Sequence, residues 1–286
     1  MFGSLVIFFP TAHEGGALLL REPRSIWKRE MSSRRKWTFD ASQALAVEGQ
    51  PSIGGYVAFF SDIEHEVAPV TSGHRITLTY NLYFDDAGGL VFANDAVSEH
   101  PTLPQLENEG EFREAFTALL EDPEFLADGG ALAFGQRHVY WIKNDLKHVH
   151  SVLKGSDAVV YQGVRMLGYE PVLYLYYHHW QDRGVIIDKV AEFGDCQEMD
   201  DITDTLCKEG GIYVHRDEWT ISRIDCEGRM PLLMKCATPV TQFNDQEGVY
   251  PSFWGNEQDF NWVYGNLCRV IRIGGAGDRL AYPTYH

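Results

Sequence analysis

The sequence predicts an α+β protein in which an all-β N-terminal part is followed by a mixed α/β region. Three observations carry that prediction. From Phe2 to Tyr83 the apolar runs are short, broken by turn residues and without a sustained helical period. Arg75 to Phe84 alternates with period two. Beyond Gly110, segments of helical and of strand character succeed one another.

Leu5 to Phe9 is the first candidate strand, followed by the loop T-A-H-E-G-G and a second strand from Ala17 to Leu20. Trp37 to Phe39 is a short third, and the glycine-rich P-S-I-G-G at 51–55 leads into Tyr56 to Phe60. With the strand from Arg75, about six such segments make a sheet sandwich or barrel. Gly88-Gly89, Pro101, Pro104 and several acids mark residues 87–110 as a linker, so the reading is a β domain over 1–86 and an accessory region over 111–286. In that region Glu111 to Leu120 is an amphipathic helix, with Phe112, Ala115, Phe116, Leu119 and Leu120 on one face. Ser156 to Leu167 is a second helix, with Asp157 in its first turn and Gly168 just past its end. Asp200 to Lys208 is a third, while Tyr174 to Tyr177, Gly184 to Val190 and Leu267 to Ile273 read as strands.

Bulk properties exclude several classes of function. The formal charge of −17 repels phosphate backbones and anionic membranes, which argues against nucleic acid and membrane partners. The seven Arg and Lys between Arg21 and Lys36 read as a solvated hairpin loop. Cys196, Cys207, Cys226, Cys236 and Cys268 are odd in number and form no C-x-x-C pair, which points to reduced thiols in an intracellular, cytoplasmic or nuclear setting. The opening F-G-S-L-V-I-F-F lacks a basic flank, stops at Pro10 and is too short for a membrane span, so it reads as a buried strand and not a signal peptide.

The chemistry concentrates in F-F-S-D-I-E-H-E-V-A-P-V-T-S-G-H-R-I-T-L-T-Y-N-L, residues 59–82. A strand leads to His65, a turn runs from Pro69 to Gly73, and the next strand opens at Arg75. Its alternation puts Arg75, Thr77 and Thr79 on one face and Ile76, Leu78 and Tyr80 on the other. An imidazole, a guanidinium and two hydroxyls facing a barrel interior need a partner, because such groups are costly to bury alone. A dicarboxylate beside a metal would supply one: Arg can clamp a carboxylate through two parallel hydrogen bonds, and a Thr hydroxyl can add a third.

H-x-x-x-P-V-x-x-G-x-R, with ten positions from His65 to Arg75, resembles the distal half of the prolyl 4-hydroxylase type of iron(II)/2-oxoglutarate dioxygenase. Arg75-Ile76-Thr77 is similar to the Arg-x-Ser/Thr pair of related oxygenases, and residues 4–20 are similar to that family's strand, E-G-G turn and strand. The spelling H-E-G-G followed by residues 61–82 looks closest to an uncharacterised fungal group. K-G-S-D-A-V-V-Y-Q (154–162) and W-G-N-E-Q-D-F-N-W-V-Y-G (254–265) share that likeness without any chemistry attached. The resemblance implies a double-stranded β-helix, or jelly roll, and a hydroxylase that couples oxidation of an unknown peptide or small molecule to the conversion of 2-oxoglutarate into succinate and carbon dioxide. It implies His65 as an iron ligand, Arg75 and Thr77 as the cosubstrate anchor, and Fe(II), 2-oxoglutarate and ascorbate as cofactors.

The family's other two ligands, a His-x-Asp pair, lie on a strand before the one that begins here at Phe2, so the domain is expected to lack its N-terminal strands and two of three iron ligands. A non-catalytic jelly-roll binding or scaffold module, or an incomplete gene model, is the competing expectation; a cupin-like metal or sugar binder is a third, which leaves the spacing of Arg75 unexplained. His13 is read as structural or lining the rim, and Asp62, Glu64 and Glu66 either orient His65 or are solvated. His178-His179 with Asp182 reads as a surface turn, and His138, His148 and His150 as structural. Gly129-Gly130 and Gly274, Gly275 and Gly277 lack the strand-to-helix context of a nucleotide loop.

Overall fold

A computed structural model of the chain describes residues 1–22, 35–45, 54–83, 108–142, 146–178, 183–193, 199–215, 231–240, 245–254 and 257–280. Most of the expected linker 87–110 lies outside them. The contacts divide the chain into two compact units, Met1–Ser98 and Glu99–His286.

In the first unit, strand β1 (Gly3–Phe8) is the centre of an antiparallel sheet, flanked by β5 (Gly55–Phe60) and β8 (Thr77–Leu82). A second sheet places β3 (Leu18–Arg21) between β4 (Lys36–Phe39) and β6 (Glu64–Val67). A two-stranded ribbon pairs β2 (His13–Gly15) with β7 (Val70–Gly73). Period-two alternation buries Val6 and Phe8 of β1 against Leu18 and Leu20 of β3, with Phe39, Leu45, Val57, Phe59 and Ile63 around them. Burial of each such side chain contributes about 1.5–3 kcal/mol. The short helix α1 (Ala41–Ala44) closes over this core with Ala41 and is capped by Asp40, whose carboxylate accepts hydrogen bonds from the Ser42 amide (3.0 Å) and hydroxyl (2.6 Å).

Strand β8 departs from the usual polarity. Thr77 lies opposite Phe8 and Thr79 opposite Val6, so the hydroxyl side chains share the face of the core residues. Leu78 and Tyr80 share the outer face with Tyr56 of β5, and all three are exposed. The strand begins at Thr77, two residues later than expected; Arg75 precedes it, and Phe84 lies outside the described residues.

The second unit is built on a closed barrel. The strands β9 (Gly130–Gly135), β10 (Val172–His178), β11 (Arg183–Ile187), β12 (Ile212–His215), β13 (Leu232–Thr238) and β15 (Glu257–Ile273) run in the order β10-β11-β12-β13-β9-β15, and β15 pairs back onto β10. β13 runs parallel to both β12 and β9, and the other barrel pairings are antiparallel. The first half of β15 forms a long hairpin with β14 (Asp245–Trp254). Ala131 and Ala133 of β9 are small, which leaves room inside the barrel for Tyr176, Ile186, Met234 and Val270. Outside, α2 (Glu109–Glu121) and α3 (Gly155–Met166) cover Leu132, Phe134, Ile271 and Ile273 through Phe116 and Val164. Helix α4 (Met199–Lys208) covers Val185 and Ile187 through Ile202 and Leu206. Gly168, with φ +87°, ends α3 in a conformation that costs glycine little. No helix among the described residues is long and apolar enough to cross a membrane.

The barrel core yields a stability prediction. Met234 has no exposed surface, so Met234→Ala lowers stability by about 2–5 kcal/mol. Met166→Ala, on an exposed stretch of α3, changes it by less than about 0.5 kcal/mol. Urea unfolding of the two variants reads the difference; equal midpoints would show that the barrel interior is not packed as described.

Candidate functional site

The first unit does not bring the sequence-derived residues to one point: His65 is exposed on one sheet, whereas Arg75 and Thr77 are half-buried at the edge of another. His65 on β6 lies opposite the buried Leu20 and so shares its face of the sheet. Because β6 is an edge strand, the imidazole remains exposed to solvent. It packs 5.1 Å from the Phe59 ring, and its Nδ1 lies 3.3 Å from the Ile63 carbonyl oxygen. With Nδ1 donating to that carbonyl, Nε2 keeps its lone pair as an acceptor or metal ligand. Of the neighbouring acids, Glu66 forms an ion pair with Arg21 at 2.8 Å, so the ring is oriented by a backbone carbonyl and not by that carboxylate.

Arg75 sits between β7 and β8 with a half-buried side chain. Its Cζ lies 5.1 Å from the centre of the Phe8 ring, a cation–π distance. The alkyl stem crosses Gly16, where a Cβ would meet Arg75 Cδ at 2.7 Å. Gly16 also has φ +71°, so both the approach and the backbone require glycine there. The Nε of Arg75 is buried and has no hydrogen-bond partner. Burial lowers the guanidinium pKa from its ordinary value, although it stays charged at neutral pH. Thr77, half-buried, opens β8 two residues after Arg75 and lies opposite Phe8.

Two further groups belong to this end of the unit. Thr11 Oγ1 and His13 Nε2 are also buried without partners, and His13 Nδ1 is 2.7 Å from the Thr11 carbonyl oxygen. His13 lies opposite Gly73, two residues before Arg75, in the β2–β7 ribbon. It also faces Asp40, whose carboxyl is held below the usual range first by the Ser42 hydroxyl and to a smaller degree by His13. Sequence reasoning set His13 at the rim and did not consider Thr11, Phe8 or Gly16. The available signal was H-E-G-G itself: both glycines have positive φ, and a Cβ on Gly15 would collide with the Pro69 carbonyl oxygen.

A buried polar atom without a partner costs about 1–3 kcal/mol. Unpartnered Arg75 Nε therefore fits an anion: a carboxylate would accept from the guanidinium, and the Thr77 hydroxyl can donate beside it. Iron fits less well. His65 packs on Phe59, opposite Ser4, whereas Arg75 lies on Phe8, four residues further along β1 or about 13 Å away. Among the described residues no three His, Cys, Asp or Glu side chains converge as a metal site. One imidazole does not make the three-ligand set of a non-haem iron(II) oxygenase, so no oxidative step can be derived through the metal from these residues. His179 and Asp182 lie outside the described residues.

The packing of Arg75 over Gly16 gives a direct test. Gly16→Ala forces both a left-handed alanine and a displaced arginine stem, and lowers stability by about 1–3 kcal/mol. In a 15N spectrum the Arg75 Nε–Hε resonance moves; an unchanged resonance together with unchanged stability would refute the contact. No protein-family model, curated protein or solved structure matches the chain.

Proposed function

We propose that the first unit is the cosubstrate-binding part of a jelly-roll domain of the iron(II)/2-oxoglutarate dioxygenase type. The observation that carries this reading is the half-buried guanidinium of Arg75, stacked on Phe8 across a bare Gly16, with an unpartnered buried Nε. It stands ten residues after His65, whose imidazole is exposed on the edge strand β6. Arg75 binds the distal carboxylate of 2-oxoglutarate by charge-assisted hydrogen bonds, and Thr77 donates to the same group. Phe8 holds the guanidinium plane and shields one of its faces from water. His65 offers Nε2 as one ligand of an iron centre. The two other ligands are not among the described residues, and hydroxylation of a peptide or small molecule depends on them. Cys236 and Cys268 are thiols, which supports an intracellular setting.

The second reading, a carboxylate-binding module without oxidative chemistry, is favoured by one observation: among the described residues no further His, Cys, Asp or Glu side chains join His65 in a metal-ligating group. Calorimetric titration with 2-oxoglutarate, first without metal and then with iron(II) under anaerobic conditions, separates the readings. The cosubstrate binds the wild type, and Arg75→Ala weakens binding by about 10- to 150-fold. On the dioxygenase reading, iron(II) tightens binding and His65→Ala removes that gain; on the module reading metal has no effect. Absence of 2-oxoglutarate binding, or binding indifferent to Arg75→Ala, would sink both.

A further inference from the structure

The second unit buries a cation that the reading above does not use. Arg269 of β15 has 0% of its surface exposed, the largest side chain so enclosed among the described residues. It points away from the barrel interior, from a position opposite Phe134 on β9 and Leu173 on β10, toward α3. Its guanidinium lies with Cζ 4.7 Å from the centre of the Tyr161 ring. That stacking uses the face of the group and leaves the donors at its edge. All three guanidinium nitrogens, Nε, Nη1 and Nη2, lack a hydrogen-bond partner.

The nearby acid does not serve as that partner. Asp157, buried in the first turn of α3, is taken up by three other donors. The Arg137 amide donates at 2.9 and 3.0 Å, the His138 amide at 3.1 Å and the Tyr140 hydroxyl at 2.9 Å. Its charge reaches Arg269 through space only, and burial pushes its carboxyl above the usual range. Burial also lowers the Arg269 guanidinium to about 10, which leaves it charged at neutral pH. An enclosed charge without a hydrogen-bonded counter-ion costs several kcal/mol.

The surroundings are those of an anion site. His150, in the short 3-10 turn Lys147–Val152, packs 5.2 Å from the same Tyr161 ring and has a buried, unpartnered Nδ1. Arg165 lies with its Cζ 5.4 Å from that ring and donates to the Tyr161 hydroxyl at 3.1 Å. Two guanidinium groups and an imidazole thus gather on one tyrosine. His150 and Tyr161 are half-buried, and the Arg269 guanidinium lies against Tyr161 with no exposed surface of its own.

We propose that Arg269 and His150 form a binding site for a small oxyanion, a carboxylate or a phosphate group, seated beside Tyr161. The anion accepts from the edge of the Arg269 guanidinium and from His150 in its Nδ1–H tautomer. Asp157 and Tyr140 keep the loop and the first turn of α3 in place beneath it, and the negative charge of Asp157 favours a singly charged anion, a carboxylate or a monoanionic phosphate, over a dianion.

Calorimetric titration of the full chain with inorganic phosphate and, separately, with acetate tests this, in parallel with the Arg75→Ala chain so that the first unit's anchor does not contribute. One of the two anions binds saturably in both proteins, and the arm that responds names the class. Arg269→Met abolishes that binding. Should Arg269→Met fail to fold, His150→Ala, at a half-exposed position, weakens binding by roughly tenfold, and Arg269→Lys by more than that, because a lysine offers no edge of parallel donors. The His150 ring resonances move on addition of the anion. Binding of neither anion to the Arg75→Ala chain, or binding unchanged by both His150→Ala and Arg269→Lys, would overturn the site.

Discussion

The first unit depends on the register of β8 against β1. Thr77 lies opposite Phe8 and Thr79 opposite Val6, so the strand sets its threonines on the core side, Thr77 half-buried and Thr79 exposed, and Leu78 and Tyr80 on the outer face. A slip by one residue would reverse every side chain, burying the apolar set and expelling Arg75 and Thr77. Burial alone would favour the slipped arrangement, since Leu78 and Tyr80 gain more from leaving water than two threonines do. The observed register is held by paired backbone hydrogen bonds on both sides of β1 and by the ribbon β2–β7, whose Gly15 and Gly73 fit only with the Pro69 and Ala12 carbonyl oxygens pressed against them. Tight turns thus fix the strand in this polarity.

The cost of that arrangement is visible at Arg75. Its guanidinium is half-buried, its Nε has no partner, and its positive charge is offset by the quadrupole of Phe8 and not by a carboxylate. Thr11 Oγ1 and His13 Nε2 carry the same kind of deficit nearby in the sequence pairing. Deficits of this sort are what a fold tolerates where a ligand completes the hydrogen bonding.

The sequence revealed these features unevenly, for physical reasons. β1, β3, β4, β5 and β8 were legible because turn residues bracket short apolar or alternating runs. Helices α2 and α3 were legible from their apolar spacing and from Gly168. In α2, however, the packed side chains are Phe112, Phe116 and Leu120, spaced by four, while Leu119 is exposed. β9 was missed because G-A-L-A-F-G is buried on both faces and so shows neither alternation nor length. β12, I-Y-V-H, is too short to show a period, and β13, L-L-M-K-C-A-T, opens on a continuous apolar run that carries no alternation in its sequence. The closed barrel could not be foreseen, since β13 pairs in parallel with β12 and β9 from distant parts of the chain, and no local signal encodes such partners. At the candidate site, His65, Arg75 and Thr77 came from spacing, whereas Phe8 and Gly16 came only from contacts across strands.

Arg75 and Arg269 show how the same side chain is carried by different surroundings. Both stack on an aromatic ring, and both leave donor nitrogens unpartnered. Arg75 follows a ribbon at an open edge, so part of its charge remains hydrated and its pKa is lowered by burial alone. Arg269 is enclosed by helices packed on a barrel, and there the through-space charge of Asp157 acts against desolvation. Part of the first side chain is exposed to solvent, whereas the second has no exposed surface. An enclosed guanidinium without an acceptor is costly, and among the described residues the Asp157 carboxylate beside it already accepts from Arg137, His138 and Tyr140. The demand for an anion is therefore stronger at Arg269, although nothing in the local sequence R-V-I-R-I distinguishes it from a strand that ends in the core.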